Sequence, residues 1–164
     1  MTTASIIFGS ATALTIGLAT GPLASDTSLL AGRESTAIDN TSDLAIDAIV
    51  FGKVTTGTTP TASRQIEVWL YGSVDGTNFS GGASGSDANL SPQAKDLFRL
   101  LQMIPTNNTS NQAYTWGPFS VAQAFGGTMP ANWGVYIVHN TGAALNATGG
   151  NHFVKYRTVK YTSV

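Results

Sequence analysis

The stretch QIEVWLYGSVDGTNF, residues Gln65–Phe79, carries the clearest strand-and-turn pattern of the chain. Its side chains alternate between two faces, which is the period of a β-strand. One face holds Ile66, Val68 and Leu70, and the other holds Glu67, Trp69 and Tyr71. Asp75 and Gly76 follow, and this dipeptide predicts a hairpin turn because both residues tolerate a positive φ. The face with two aromatic rings must either be covered or be shared with a partner.

The composition of the whole chain favours an all-β protein. Of its 164 residues only 10% are charged, yet 42% are hydrophobic, which excludes a disordered chain. The polar residues are mainly Thr, Ser, Asn and Gly, of which the first suits strands and the others suit turns. The length fits one domain that can bury a substantial core.

The charges of the chain nearly cancel. Eight Lys and Arg against nine Asp and Glu give a net charge of −1. Because no basic field is available to neutralise phosphates, nucleic acid is not an expected partner. A weakly charged surface gives little protection against association, so the composition favours a protein that works as part of a larger assembly.

Neither disulfides nor a targeting segment is expected. The chain has no cysteine, which removes disulfides and thiolate metal sites. Residues Ser5–Ala24 are partly apolar, but no basic residue precedes Arg33 and Ser, Thr and Gly interrupt the run. We therefore expect no signal peptide and no membrane span, and a protein made in the cytoplasm.

The middle of the chain predicts a second strand and several loops. Leu44–Thr56 is expected to be a strand, with Leu44, Ile46, Ala48 and Val50 on one face. Residues Thr55–Ser63 are expected to join it to the first strand as a hairpin or a Greek-key connection. Ser80–Asn89, which is rich in Gly and Ser, predicts a flexible loop.

The segment that begins at Ser91-Pro92 can be interpreted in two ways. Its apolar spacing fits a helix, and it also fits a buried strand with two apolar faces. Because the surroundings are all β, we expect one short helical turn, started by Ser91 and Pro92, and then a strand that ends before Pro105.

Three further strands complete the pattern. They are predicted at Tyr114–Val121, Trp133–Asn140 and Phe153–Thr162. Pro118 cannot donate a ladder hydrogen bond, which predicts an edge strand or a bulge. Seven to nine strands separated by turns predict a single antiparallel β-sandwich, jelly-roll-like, over residues 29–164. Residues 1–28 are expected to form an N-terminal arm or an edge strand of that sandwich.

No set of residues predicts catalysis, a cofactor or a metal. His139 and His152 lie at predicted strand ends, and no motif surrounds them, so both are expected to make structural hydrogen bonds. The two glutamates, Glu34 and Glu67, show no sign of the opposed pair that glycoside hydrolysis needs. Two loop pairs could offer oxygen ligands to calcium, although their spacing matches no calcium loop and a turn explains the first better. They are Asp75 with Asn78 and Asp87 with Asn89.

The large aromatic residues leave two alternatives open. They could form a platform that stacks on carbohydrate, or they could belong to the core, where most large aromatic residues lie. The residues concerned are Trp69, Tyr71, Trp116 and Trp133. Of these, Trp133 is expected to be the most exposed, because it follows a Pro-Ala-Asn loop.

Three segments of the chain resemble structural proteins of tailed-phage virions, and the nearest in kind are the small capsid decoration, or cement, proteins. They are IEVWLYGSVDGTNF (Ile66–Phe79), SLLAGRESTAIDNTSDLAIDAIV (Ser28–Val50) and YTWGPFSVAQAFGGTMPANWGVYIVHNTGAALNATGGNH (Tyr114–His152). The three segments cover nearly half of the chain. It implies a small β-sandwich or jelly-roll domain without catalysis, commonly a homotrimer on the outer capsid surface that braces the major capsid protein.

This resemblance suggests which residues would contact partners. An apolar N-terminal arm and apolar residues in Gly/Pro-rich loops would contact the capsid, and the aromatic face of the first strand would form either a second layer or a trimer contact. The candidates are Ile6, Ile7, Phe8, Phe125, Met129, Trp133, Trp69 and Tyr71. The rival hypothesis is a carbohydrate- or receptor-binding β-module of a phage tail or head fibre.

Overall fold

The computed structural model describes residues 4–163, which fold into two antiparallel sheets packed face to face. Sheet A contains β1 (Ala4–Phe8), β2 (Thr12–Leu14), β5 (Asp47–Thr55), β9 (Ala113–Ser120) and β11 (Phe153–Ser163). Sheet B contains β3 (Gly32–Glu34), β4 (Ile38–Asp39), β6 (Arg64–Ser73), β7 (Ala88–Leu90), β8 (Arg99–Thr106) and β10 (Asn132–His139). The one α-helix of this described part, α1, is a single turn at Val121–Ala124. The prediction of an all-β sandwich is confirmed.

The strand order places the longest strands at the centre of each sheet. Sheet A runs β1-β11-β5-β9, and β2 pairs with β11 beside β1. Sheet B runs β7-β3-β10-β6-β8, and β4 also pairs with β10. Every pairing is antiparallel, and β6 and β10 are opposed over their full overlap from Ile66 to Ser73.

The main core lies between the two sheets. The predicted inner face of β6, Ile66, Val68 and Leu70, is fully buried there, which confirms the alternation along this strand. Sheet A supplies Ala48, Val50, Val54 and Val154 from its inner face. Burial of apolar area on this scale is the main driving force for folding, at about 25 cal/mol per Å².

The N-terminal segment forms the edge of sheet A. Strands β1 and β2 follow one another along β11, with a one-residue change of register at Gly9–Ala11. Leu14, Leu18 and Leu23 then enter the main core. Of the two predicted alternatives the edge strand is the one observed, and residues 1–3 lie outside the described part.

The predicted start of β5 is wrong, and of the two alternatives predicted for the loop after it the hairpin is excluded. The strand begins at Asp47, and Leu44 lies before it in a loop with a φ of 49° and 75% exposure. The Asn40 side chain closes this loop, because its amide accepts from Ala45 N at 2.9 Å and donates to Ala45 O at 3.0 Å. Residues 56–63 do not form a hairpin either, since they cross from β5 in sheet A to β6 in sheet B.

The Asp75–Gly76 turn is present, but it closes no hairpin. The Asp75 carboxylate accepts from the backbone N–H groups of Thr77 and Asn78 at 2.9 and 2.8 Å, and these bonds lower its pKa. The next strand, β7, pairs with β3 and not with β6. The turn therefore sends the chain over the outer face of sheet B.

Pro105 and Pro118, the two prolines that lie within strands, are both on edge strands. Residues Lys95–Leu97 form the expected short helical turn, but its N-cap is Ala94 and not Ser91. The strand β8 that follows runs through Pro105 to Thr106, which is tolerated because only β6 pairs with it. Pro118 lies in β9, the other edge strand of sheet A, within a bulge in which Gly117 and Pro118 face the single residue Phe51, as its chemistry predicts.

Candidate interaction surface

The aromatic face of β6 is covered by the chain itself. Tyr71 is fully buried in a second cluster, with the rings of Phe79 and Phe98 at 5.6 and 6.2 Å. The Tyr71 hydroxyl donates to the carbonyl of Ser35, and burial raises the pKa of this phenol. Tyr71 therefore packs within one chain and is not available for a trimer contact.

Glu34 holds the covering segment in place. Its carboxylate is 1% exposed and accepts from Ser84 N and Ser84 Oγ at 2.9 Å and from Gly85 N at 3.2 Å. Nearby, Asp87 pairs with Arg33 at 2.7 Å and accepts from Gly17 N at 2.9 Å. The segment Ser80–Asn89, predicted as a flexible loop, is thus a structured cover over sheet B.

Glu67 has an equally complete set of partners. Its carboxylate lies 2.6 Å from Lys95 Nζ and accepts from Trp69 Nε1 at 2.9 Å and from Gln65 Nε2 at 2.6 Å. The Lys95 ammonium also lies 5.2 Å from the centroid of the Trp69 ring. Trp69 is therefore partly exposed but held in place by this buried ion pair.

The predicted carbohydrate platform is not assembled. Trp133 is fully buried and Trp116 is 3% exposed, so the expectation that Trp133 is exposed is wrong. The reason is register: Trp133 lies opposite Gly72 in β10, on the face that points at sheet A. Tyr71 is buried as well, which leaves Trp69 as the only member of the set with appreciable exposure.

The loop candidates Phe125 and Met129 pack against the protein. Both are partly buried and contact the main core. The Phe125 ring lies so close to Gly72 that a Cβ there would sit 3.0 Å from it. Because α1 and the loop after it cover the end of the core, these side chains offer a partner only part of their surface.

The two histidines make strand-end hydrogen bonds, as predicted. His139 is fully buried, with Nδ1 2.9 Å from Thr141 Oγ1 and Nε2 3.0 Å from the carbonyl of Leu23. His152 Nδ1 accepts from Thr55 N at 3.3 Å. Burial lowers the pKa of both imidazoles, so both rings are neutral near pH 7.

The loop carboxylates proposed as calcium ligands have protein partners. Asp75 is occupied by its turn and Asp87 by Arg33. Asn89 Oδ1 accepts from Arg33 Nη1 at 3.1 Å. Within residues 4–163, no group of three or more His, Asp or Glu side chains could hold a metal ion.

The N-terminal candidates are the ones that the structure leaves exposed. Ile6, Ile7 and Phe8 are 55%, 46% and 60% exposed on β1. Tyr161 of β11 is directly opposite Ile6 and is 63% exposed. These residues border the outer face of sheet A. The apolar residues of that face on β5 and β11, Ile49, Phe51 and Phe153, belong to neither of the two buried clusters of residues 4–163.

Sequence reasoning missed the rest of this outer face. It includes Phe51 and Lys53 of β5 and Phe153, Lys155 and Arg157 of β11. The signal was present in the alternation of FVKYRTVKY, which places Phe153, Lys155 and Arg157 on one side of the strand. This alternation could not show which side of β11 faces the core, because both sides of the strand contain aromatic residues.

No family model matches this chain, and no curated protein matches it either. Between residues 4 and 163, none of the helices has the length and apolar character that crossing a membrane would require.

Proposed function

We propose that this chain is a non-enzymatic structural protein of a tailed-phage virion, a capsid decoration protein. It binds the outer surface of the major capsid protein lattice and stabilises the shell against the pressure of the packaged genome. Its working form is a homotrimer. The proposal is supported by the resemblance of its segments to such proteins and by one feature of the fold, the N-terminal edge of sheet A.

This edge lacks the usual protection against association. Residues 4–14 contain no charged residue and no proline, and three large apolar side chains of β1 are exposed. Native proteins normally guard an edge strand with Lys, Pro, strong bulges or a covering segment. Here the only irregularity is the register change at Gly9–Ala11. An edge of this kind suits a protein whose edge is covered by a neighbour in an assembly.

The mechanism is mechanical. A trimer seated across neighbouring capsomers adds buried contact area between them, and binding stabilises the assembled state by mass action. The uncharged edge would supply backbone hydrogen bonds to a strand of the neighbour, which is a general mode of recognition. Ile6 and Phe8, on one face of β1, would pack together with Tyr161 against the neighbouring copy in the trimer.

The test is co-sedimentation of the purified protein with empty, expanded capsids from the same source. We expect saturable binding and a higher temperature of genome release from filled capsids that carry the protein. Absence of binding at micromolar protein concentration would refute the proposal. A glycan array with the same preparation would expose the rival function, a carbohydrate-binding module.

A further inference from the structure

The outer face of sheet A gathers basic and aromatic side chains on two adjacent strands. The register of β5 with β11 places Lys53 opposite Phe153, Phe51 opposite Lys155 and Ile49 opposite Arg157. All six point away from the core, because Val50, Gly52 and Val154 between them are buried. We call this set the basic-aromatic face.

The aromatic rings of this face hold the ammonium groups close together. Phe51 and Phe153 meet edge to face with centroids 5.9 Å apart. Lys53 Nζ and Lys155 Nζ each lie 5.5 Å from the centroid of the Phe153 ring. Contact with the ring attracts each cation, but it does not neutralise either charge.

Among residues 4–163, no acidic side chain on this face pairs with these cations. On the outer sides of β5 and β11 the only acidic residue is Asp47, and its carboxylate accepts from the backbone N–H groups of Ala48 and Ala122 at 2.7 and 2.8 Å. The charged groups of Lys53 and Arg157 bind only backbone carbonyls, those of Gly150 and Gly9.

Elsewhere in the described residues, cations are paired with acids. The three ion pairs are Arg33–Asp87, Lys95–Glu67 and Lys160–Asp43. Arg64 and Arg99 are the two other basic residues outside these pairs, and both are in sheet B. Three of the five cations without an acidic partner are thus concentrated on one face of a chain whose net charge is −1.

The face continues into exposed apolar surface. Ile6 and Phe8 follow on the outer side of β1 next to Tyr161, and all three side chains are exposed. A strand of nine residues spans roughly 30 Å and four strands about 15–20 Å, so the face covers on the order of 500 Å² in projection. That is comparable with the roughly 800 Å² that each partner buries in a standard protein interface.

We propose that the basic-aromatic face is the docking surface for a partner protein, and that the partner presents an acidic patch bordered by apolar residues. This inference rests on the proposed function, in which the partner surface is the exterior of the capsid lattice. A protein partner is favoured over nucleic acid because half of the face is apolar and the whole chain carries a net negative charge. Carboxylates of the partner would bind Lys53, Lys155 and Arg157, and its apolar residues would pack on Phe51 and Phe153 of the same face.

The test compares two double variants with the same change of charge. Lys53→Glu/Lys155→Glu reverses two charges on the basic-aromatic face, and Arg64→Glu/Arg99→Glu reverses two exposed charges on sheet B. Binding to empty capsids is measured for both and for the wild type, at low and high salt. We expect at least a tenfold loss of affinity for the face variant, less than threefold for the control, and a salt dependence that weakens only in the face variant.

Each outcome decides a different point. If the wild type does not bind capsids, the proposed function fails and this inference fails with it. If the wild type binds and the face variant binds equally well, or if both variants lose affinity equally, the docking surface is wrong and the function stands. Binding of the wild type and the face variant to single-stranded DNA is measured as well. If the face variant loses affinity for DNA but keeps its affinity for capsids, the partner of this face is nucleic acid and not a protein. Should thermal unfolding show that the face variant is destabilised, Lys53→Gln/Lys155→Gln provides the same comparison at half the charge change.

Discussion

The rings of Trp133 in β10 and Tyr156 in β11 meet edge to face across the interior of the sandwich. Their centroids are 5.5 Å apart and their planes are at 88°. Trp133 is fully buried, and it belongs to sheet B while Tyr156 belongs to sheet A. This contact ties the two sheets together within the main core, so Trp133 acts on stability and not on recognition.

Replacing Trp133 should therefore damage the fold. Trp133→Ala removes the largest buried side chain of the core and should lower the free energy of unfolding by about 3–5 kcal/mol. Trp133→Phe keeps an aromatic ring against Tyr156 and should cost less. Urea titration followed by circular dichroism measures both. A loss below about 1 kcal/mol for the alanine variant would show that Trp133 does not link the sheets.

Removing the Glu34 carboxylate should loosen the cover of sheet B. Glu34→Ala leaves the N–H groups of Ser84 and Gly85 without their acceptor, which should cost about 1–3 kcal/mol. Limited proteolysis should then cut within residues 80–89 faster than in the wild type. Ser86→Ala is the matched control, because this exposed side chain lies in the same segment away from Glu34. Equal cleavage of both variants would contradict the role given to Glu34.

Charging the N-terminal edge should reduce self-association without unfolding the protein. Ile6→Lys/Phe8→Lys places two positive charges on exposed positions of β1, so the free energy of unfolding should change by less than about 1 kcal/mol. Sedimentation velocity should show at least a tenfold weaker assembly. Leu44→Lys/Val74→Lys is the control, since both residues are exposed apolar residues in loops, at 75% and 87% exposure. If the wild type sediments as a monomer at all concentrations, the trimer is wrong.

Stability should fall as the pH drops below about 6.5. Burial lowers the pKa of His139 and His152 from the ordinary value of 6.5, so the unfolded chain binds protons that the folded chain resists. Each histidine contributes a slope of at most about 1.4 kcal/mol per pH unit. The loss is complete once the pH is below the lowered values.

Urea unfolding at pH 7.5 and pH 5.5 measures this effect. The carboxylates of Asp26 and Asp75 have pKa values lowered by backbone hydrogen bonds, from an ordinary value of 3.8, so their contribution is lost only at more acid pH. Equal stability at pH 7.5 and 5.5 would mean that the histidines are less buried than the packing around Leu23 and Thr141 indicates.

Alternation along single strands could be predicted because it is a local property. The inner faces of β6 and β5, the edge position of Pro118 and the structural role of both histidines all follow from short-range pattern and chemistry. Leu44 was misplaced because the alternating pattern runs on through a loop that Asn40 closes, and pattern alone does not mark where pairing stops.

The candidate surface was only partly predictable. The exposed residues Ile6, Ile7 and Phe8 could be named because an apolar stretch without charge is unusual at a chain's edge. The basic-aromatic face could not be named, because its residues come from β5 and β11, which are about 100 residues apart and are joined only by pairing. The sequence of neither strand shows which distant strand will pair with it.

Composition and alternation alone establish an all-β chain in which Gln65–Phe79 is a strand and a turn, with one apolar face and one aromatic face. What covers each face depends on the packing of distant segments. Residues 79–98 close over Tyr71, Trp133 turns inward to Tyr156, and the outer face of sheet A stays open. The physical reason is that the two-residue period of a strand sets which side each residue occupies, whereas the burial of that residue depends on which distant segment packs on that side.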